Sequence, residues 1–402
     1  MSDQWVETTL GNILTRVKRA EPVLEGGVYP AVSVTKDGQG LGDKEAFVGG
    51  KTNYARLFRV QQGDVVVRTI TAFESPVGVA RAEHSGSFVS QVFLTYEVLP
   101  AALPEYLALF FQTPGFWWEM QNRAQGTVLR RKTISDDAFR GIPISLPPLA
   151  VQRRIVDLLA HLDDHLAGLR AERDSLESLL GCLRDACFST GEDSTRLGDL
   201  ARVDRGASWS ARQEVEVGGL PVIRIANVQP SGLDLADVRR VEGLKPRDVE
   251  RSTIGPNSVL VVGSNGNPER VGNAYLSETR VEGTVLASFL IGIHAPDSTS
   301  ARIIWHFLAS PGCQRAITEA TAGSTGLKNI SIEWLRGLQL PDMESEHRIS
   351  VVHQLDAAAN AVVALTAEIE TLTTSRSDLL RSLLSGVLMV ADSYDALLDS
   401  VA

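Results

Sequence analysis

The chain is poor in cysteine, with three residues in 402 (Cys182, Cys187, Cys313). That excludes a disulfide framework and makes a reducing, cytoplasmic setting the expectation. No run of 18 or more apolar residues occurs, so no membrane span is expected. The first residues, MSDQWVETTL, lack a basic and apolar leader, so no signal peptide is expected. A basic excess is also missing. The 39 Lys and Arg face 49 Asp and Glu, a net charge of −10, which argues against binding nucleic acid through overall charge.

Catalytic signatures are absent too. There is no Asn/Asp-Pro-Pro-aromatic string, no glycine-rich dinucleotide fingerprint and no Gly-x-Ser-x-Gly elbow. Gly50-Lys51-Thr52 resembles the tail of a phosphate-binding loop, but the position five residues before Gly50, where that loop needs glycine, is Glu45. It reads instead as a glycine turn with a solvated lysine, or as a DNA-contacting loop. His161 and His165 have metal-ligand spacing on one helical face but no evident third ligand. They read as a polar face, and no metal is expected. The chain is expected to be no enzyme.

What is present is length, periodicity and repetition. The apolar fraction of 44% is that of a globular protein, and 402 residues suit two domains. Residues 154–187 hold two interleaved seven-residue rows. One row is Ile155, Leu162, Leu169, Leu176, Leu183, and the other is Leu159, Leu166, Arg173, Leu180, Cys187. This alternation is a coiled-coil seam on a helix about 50 Å long. A second seam runs through Leu355, Val362, Ile369, Arg376 and Leu383. The expected pairing residues are Leu162, Leu169, Leu176 and Leu183 on the first helix and Leu355, Val362, Ile369 and Leu383 on the second. In an antiparallel pair, Arg376 falls near Asp163 or Asp164.

The two globular parts are copies of one unit. Leu10-Gly11-Asn12-Ile13 matches Leu197-Gly198-Asp199-Leu200, Gln112-Thr113-Pro114-Gly115 matches Ala309-Ser310-Pro311-Gly312, and Thr133-Ile134-Ser135 matches Asn329-Ile330-Ser331. Arg154-Ile155 is paired with Arg348-Ile349. Seven such matches keep their order at offsets between 187 and 197, a tandem duplication. Strands are expected at 65–67, 88–89 with 92–94, 259–262 and 289–291, with short helices at 105–111 and 303–308 before Pro114 and Pro311. The fold class is α+β: two tandem α+β domains (1–148 and 191–342), a central long helix (149–190), a second long helix (343–392) pairing with it antiparallel as a coiled coil, and a tail (393–402). The internal repeat gives pseudo-two-fold symmetry. Split at these boundaries, net charge is 0, −2, −2 and −6 for residues 1–148, 149–190, 191–342 and 343–402. The excess acid sits on the helices and tail, so a DNA-binding face must be local.

Basic and amide-bearing loops supply candidates for it, because Arg, Lys, Asn and Thr hold phosphates or read base edges. In the first domain they are Lys51, Asn53, Arg56, Arg68, Arg123, Thr127, Arg130, Arg131 and Lys132. In the second they are Arg205, Arg224, Asn227, Asn265, Asn267, Arg270, Thr325, Lys328 and Asn329. The loops just before Ile134 and Ile330 occupy equivalent repeat positions, so one job is expected twice.

This layout, together with Leu-Gly-Asn/Asp near each domain start and the string Leu-Pro-Pro-Leu-Ala-Val-Gln-Arg-Arg-Ile (146–155) entering the helix, resembles the specificity subunit of Type I restriction-modification systems. The second copy departs from that string with Pro341-Asp342-Met343-Glu344-Ser345-Glu346-His347-Arg348-Ile349. The resemblance implies a non-catalytic host-defence component in which each domain reads half of a split double-stranded DNA site and the helices set the spacing. It implies two docked methyltransferase subunits carrying S-adenosylmethionine chemistry and a restriction/translocase subunit, using ATP and Mg, that can join them. The alternatives are a DNA-reading subunit of another modification system and a coiled-coil scaffold for protein partners.

Overall fold

The computed structural model describes residues 5–126, 132–189, 193–229, 232–277, 279–321, 328–391 and 393–394. The chain divides into two units, Met1–Gly168 with Ile369–Ala402, and Leu169–Glu368. The long helices Leu149–Phe188 and Ser345–Leu384 each contribute one part to each unit. The central helix has 40 residues, about 60 Å at 1.5 Å per residue, longer than the seam alone implies because it starts directly after Pro148.

In the first unit the apolar run Val65-Val66-Val67 lies in the strand Val65–Arg68, second from one edge of a four-stranded antiparallel sheet. The order is Leu14–Val17, Phe93–Val98, Val65–Arg68, Val77–Val79. All three valines are fully buried because the strand is covered on both faces. Val65 and Val67 join Leu94, Tyr96, the short helices and Ile155, Leu159, Leu380 and Leu383. Val66 joins Val32 and Val89 of a five-stranded sheet on the other face, and Val60 just after one of its strands. Period-two alternation thus feeds two cores from one strand.

The second unit repeats the plan. Its sheet runs Arg202–Arg205, Leu290–His294, Ser258–Val262, Ala274–Leu276. Val259 and Val261 face one core with Val351, Val352 and Leu355, while Leu260 and Val262 face another. In both units a short strand pairs in parallel with the neighbouring sheet, Ala31 with Phe88 and Val222 with Val285.

Pro114 and Pro311 do not simply end the preceding helices. Each opens a further helix, Pro114–Arg123 and Pro311–Ala320. Thr113 Oγ1 accepts from Phe116 N and Ser310 Oγ from Cys313 N, and proline at the first helical position loses no bond.

The repeat alignment needs one correction at the helix entries. Ile155 is 1% exposed but Ile349 is 48% exposed, so they are not equivalent. Gln152 N donates to Pro148 O as Arg348 N donates to Glu344 O. This pairs Gln152 with Arg348, and Ile155 and Leu159 with the buried Val351 and Leu355. The pairing leucines need another. Leu162, Leu169 and Leu176 are half-buried and Leu183 is exposed, whereas Leu159, Leu166 and Leu180 are buried. The second row wins because its ends enter the domain cores. On the C-terminal helix Leu355, Ile369 and Leu383 are buried and Val362 is half-buried. The expected ion pair is present: Arg376 Nη2 donates to Asp163 Oδ2 at 2.7 Å. Arg173 instead bonds Asp174 on its own helix at 2.6 Å.

The C-terminal helix contains an 18-residue window of mean hydropathy 1.3, long and apolar enough to cross a membrane. Counting uninterrupted apolar residues missed it because the alanines and valines of residues 357–367 raise the mean without forming a run. Val351, Val352, Leu355, Ala359, Ile369, Leu380 and Leu383 of this helix are buried in the protein.

Within the second unit, His306 is fully buried. Arg184 Nε donates to its Nδ1 at 3.2 Å, so the ring proton sits on Nε2, 3.1 Å from Asp356 Oδ1. Arg302 completes the cluster at 2.7 Å from Asp356. Burial, then the Arg184 charge, pushes the His306 pKa down from 6.5 to about 4 against the opposing pull of Asp356. Between those values the unfolded chain binds the extra proton, so this contribution is complete above pH 6.5 and is lost as pH falls toward 4. Denaturant unfolding of the second unit is expected to lose on the order of 2 kcal/mol between pH 7 and pH 5 through this group. The loss should shrink in His306→Gln; equal losses in both proteins would remove the assignment.

Candidate nucleic-acid interface

The same backbone junction recurs at one end of each four-stranded sheet. In the first unit Thr69 N donates to Val92 O and Ile134 N to Thr69 O, both near 3 Å. In the second, Gly263 N and Ser264 N donate to Phe289 O, and Ile330 N to Gly263 O. Two loops, one leaving the buried strand and one arriving before the buried isoleucine, are tied together at equivalent places. They are the loops singled out by the repeat.

In the second unit this junction is a small two-stranded sheet, with Ser264 opposite Asn329 and Asn265 opposite Lys328. Ser264 Oγ donates to Lys328 O at 2.9 Å and Lys328 Nζ to Thr321 O at 3.1 Å. The Arg205 guanidinium lies beneath, donating to Ser288 O, to Asn329 Oδ1 at 3.2 Å and to Ile330 O at 2.8 Å. Arg205, Asn265, Lys328 and Asn329 are therefore brought together. Asn265 Oδ1 accepts from Asn267 N, and Asn267 Oδ1 from Glu269 N, so these amides shape their own loop.

In the first unit Lys132 O accepts from Ala72 N at 3.1 Å, and Thr133 bridges both Ile70 and Gln125. Arg68 ends the buried strand and bonds Glu74 at 2.9 Å; Arg123 bonds Glu119 at 2.6 Å. Thr127, Arg130, Arg131 and Thr325 lie outside the described residues. Lys51, Asn53 and Arg56 are exposed on other elements: Lys51 follows the strand Leu41–Val48 in a turn whose Gly50 has φ +84°, and Arg56 opens the strand Arg56–Arg59. No helix follows Gly50 directly, so the phosphate-loop likeness ends there.

Three residues of the second unit turn out to be internal fasteners. Asn227 is 3% exposed; its Nδ2 donates to Asp234 O and Asp237 O, and its Oδ1 accepts from Arg224 N. A side chain buried and spent in this way cannot reach DNA, which corrects its candidacy. Arg224 is held by Asp237 at 3.0 Å, and Arg270 donates to Ile225 O and Val228 O. What sequence reasoning missed is Phe289. Expected in a buried strand, it lies one residue before Leu290–His294 and is 48% exposed. Its neighbours Val285 to Ala287 and Leu290 to Ile293 are all apolar or glycine, so no local signal separates it from them. His161 and His165 are exposed, and no group of three metal-ligating side chains occurs among the described residues.

Comparison with known proteins adds the following. A family model for the Type I restriction modification DNA specificity domain matches residues 2–178. No curated relative matches the chain. Among solved structures the chain is similar to one described under "Structural basis underlying complex assembly and conformational transition of the type I R-M system", with a TM-score of 0.60, 18% identity, and 96% of this chain and 98% of the other covered. It is also similar to the Type-I restriction-modification system S subunit from M. genitalium, with a TM-score of 0.56, 14% identity, and 94% and 96% covered. At such identities the likeness is one of fold.

Proposed function

We propose that this chain, which matches the family model of the Type I restriction modification DNA specificity domain over residues 2–178, is a DNA-recognition chain that reads a bipartite, asymmetric site, one half with each unit. The observation that carries this reading is the recurrence of one loop junction, at Thr69 and Ile134 and again at Gly263 and Ile330. Its side chains differ between the copies, so the two half-sites should differ in sequence. The long helices set the spacing between half-sites as a paired coiled coil and offer docking surfaces to two methyltransferase subunits in the cytoplasm. The chain catalyses nothing itself. S-adenosylmethionine belongs to the methyltransferases, and ATP and Mg to a restriction subunit where one joins.

The test is methylation mapping of DNA exposed to this chain with its methyltransferase, alongside duplex-binding titrations in salt. Mapping should return two short, different half-sites separated by a fixed unread spacer. Binding should weaken by on the order of 10³-fold or more between 50 and 200 mM salt, because several phosphates must be neutralised. A single contiguous motif would sink the bipartite reading, and salt-independent binding would favour a protein scaffold.

A further inference from the structure

Phe289 is an exposed aromatic on a rigid mount. The turn that carries it is closed by Leu290 N donating to Ala287 O at 2.8 Å, and Ala287 N donates to Ile223 O. The Phe289 carbonyl accepts from both Gly263 N and Ser264 N, and the Ser288 carbonyl from Arg205. With its backbone pinned on every side, the residue is held at the surface, 48% exposed. Beside it opens a cavity of about 410 Å³ walled mainly by Ala207, Trp209, Ile225, Ala226 and Ala287, with Arg224 also in its lining. One hydrogen-bonded step away are Ser264 and its strand partner Asn329.

A phenyl ring held among amide and cationic side chains gains nothing from phosphates, sugars or hydrogen-bonding base edges. The major groove offers one apolar feature, the 5-methyl group of thymine, and phenylalanine is among the side chains that contact it. The equivalent residue of the first unit is Val92, whose carbonyl accepts from Thr69 N as that of Phe289 does from Gly263 N. Val92 is half-buried, so the feature belongs to the second unit alone. We propose that Phe289, with the largely apolar cavity beside it, reads the 5-methyl group of one thymine in the half-site bound by the second unit. This rests on the DNA-recognition reading above.

The experiment uses the full chain and duplexes carrying its mapped site, with each thymine of the second half-site replaced in turn by uracil, which removes only the methyl group. For the wild-type chain one replacement should weaken binding about fourfold, the burial of one methyl group at about 0.8 kcal/mol. For Phe289→Ala that replacement should change nothing, while Phe289→Leu, which keeps an apolar contact, should retain part of the effect. If no uracil replacement separates wild type from Phe289→Ala while both bind the site, the inference is overturned and the recognition reading stands. If the wild-type chain shows no site-specific binding at all, both fail.

Discussion

Excising one heptad from each long helix, residues 170–176 and 361–367, is expected to shorten the spacer between the half-sites by about three base pairs and to leave both half-site sequences unchanged. Seven helical residues span about 10.5 Å, and duplex DNA rises about 3.4 Å per base pair. Removing a whole heptad keeps every remaining seam residue on its face. The ion pair of Arg376 with Asp163 and the core entered by Ile155, Leu159, Leu380 and Leu383 are untouched, and Val362, which packs against the core entered by Leu180 and Leu355, is replaced at its heptad position by Ile369. For the original site the effect should be large. One half-site can no longer be engaged together with the other, and affinity should fall toward the non-specific level, a loss of on the order of 10³-fold or more. Inserting a heptad at the same places should lengthen the spacer by a similar amount. Methylation mapping reads both, and an unchanged spacer in a folded variant would remove the ruler from the proposal.

Replacing Gln152 with leucine is expected to destabilise the first unit strongly. Gln152 is fully buried. Its Oε1 accepts from Leu103 N at 2.9 Å, and its Nε2 donates to Ala101 O at 3.1 Å and Pro147 O at 2.8 Å. One side chain thereby closes the loop before the helix Pro104–Phe110 onto the start of the central helix. Leucine fits the volume but takes the partner from the Leu103 N–H and from the carbonyl of the buried Pro147, at about 1–3 kcal/mol each, while Ala101 is exposed and its carbonyl can turn to water. Chemical denaturation of the full chain should show the first unit's transition lowered by about 3 kcal/mol or more, with the second unit's transition unmoved. A shift under about 1 kcal/mol would mean that water or relaxation replaces these bonds. The second copy has Arg348 at the equivalent place, with a 3.3 Å bond to Met343 O, so the two helix entries are built differently.

Much of the architecture was legible because it is written in local periodicity. Val65 to Val67 and Val259 to Val262 read as buried strands, and Pro148 as the entry to a helix. The Leu-Pro-Pro-Leu-Ala-Val-Gln string marked a helix entry, although the reason for its glutamine appears only in the bonds of Gln152. Placing Arg376 near Asp163 or Asp164 needed no structure, because two antiparallel heptad rows admit few registers, but the choice of Asp163 did. Neither the repeat nor the seam says which row is buried. Leu159 and Leu166 prevailed over Leu162 and Leu169 because distant segments, not the helix's own pattern, cover that side.

The interface loops were the least legible. Asn227, Arg224 and Arg270 look like DNA readers in sequence because the same donors serve backbone carbonyls and base edges equally well. Only the arrival of Asp234, Asp237 and Val228 shows where those donors are spent. Phe289 looks like core because its neighbours in sequence are core, and a turn pinned by Gly263 and Ser264 puts it outside. By itself the sequence pointed to a duplication, to the strands around Val65 to Val67 and Val259 to Val262, to the long helices and to matching loops before Ile134 and Ile330, since each rests on spacing within a short segment. Tertiary structure alone decided which polar side chains are consumed and which apolar ring is displayed, because burial and hydrogen-bond satisfaction depend on partners that lie far away along the chain.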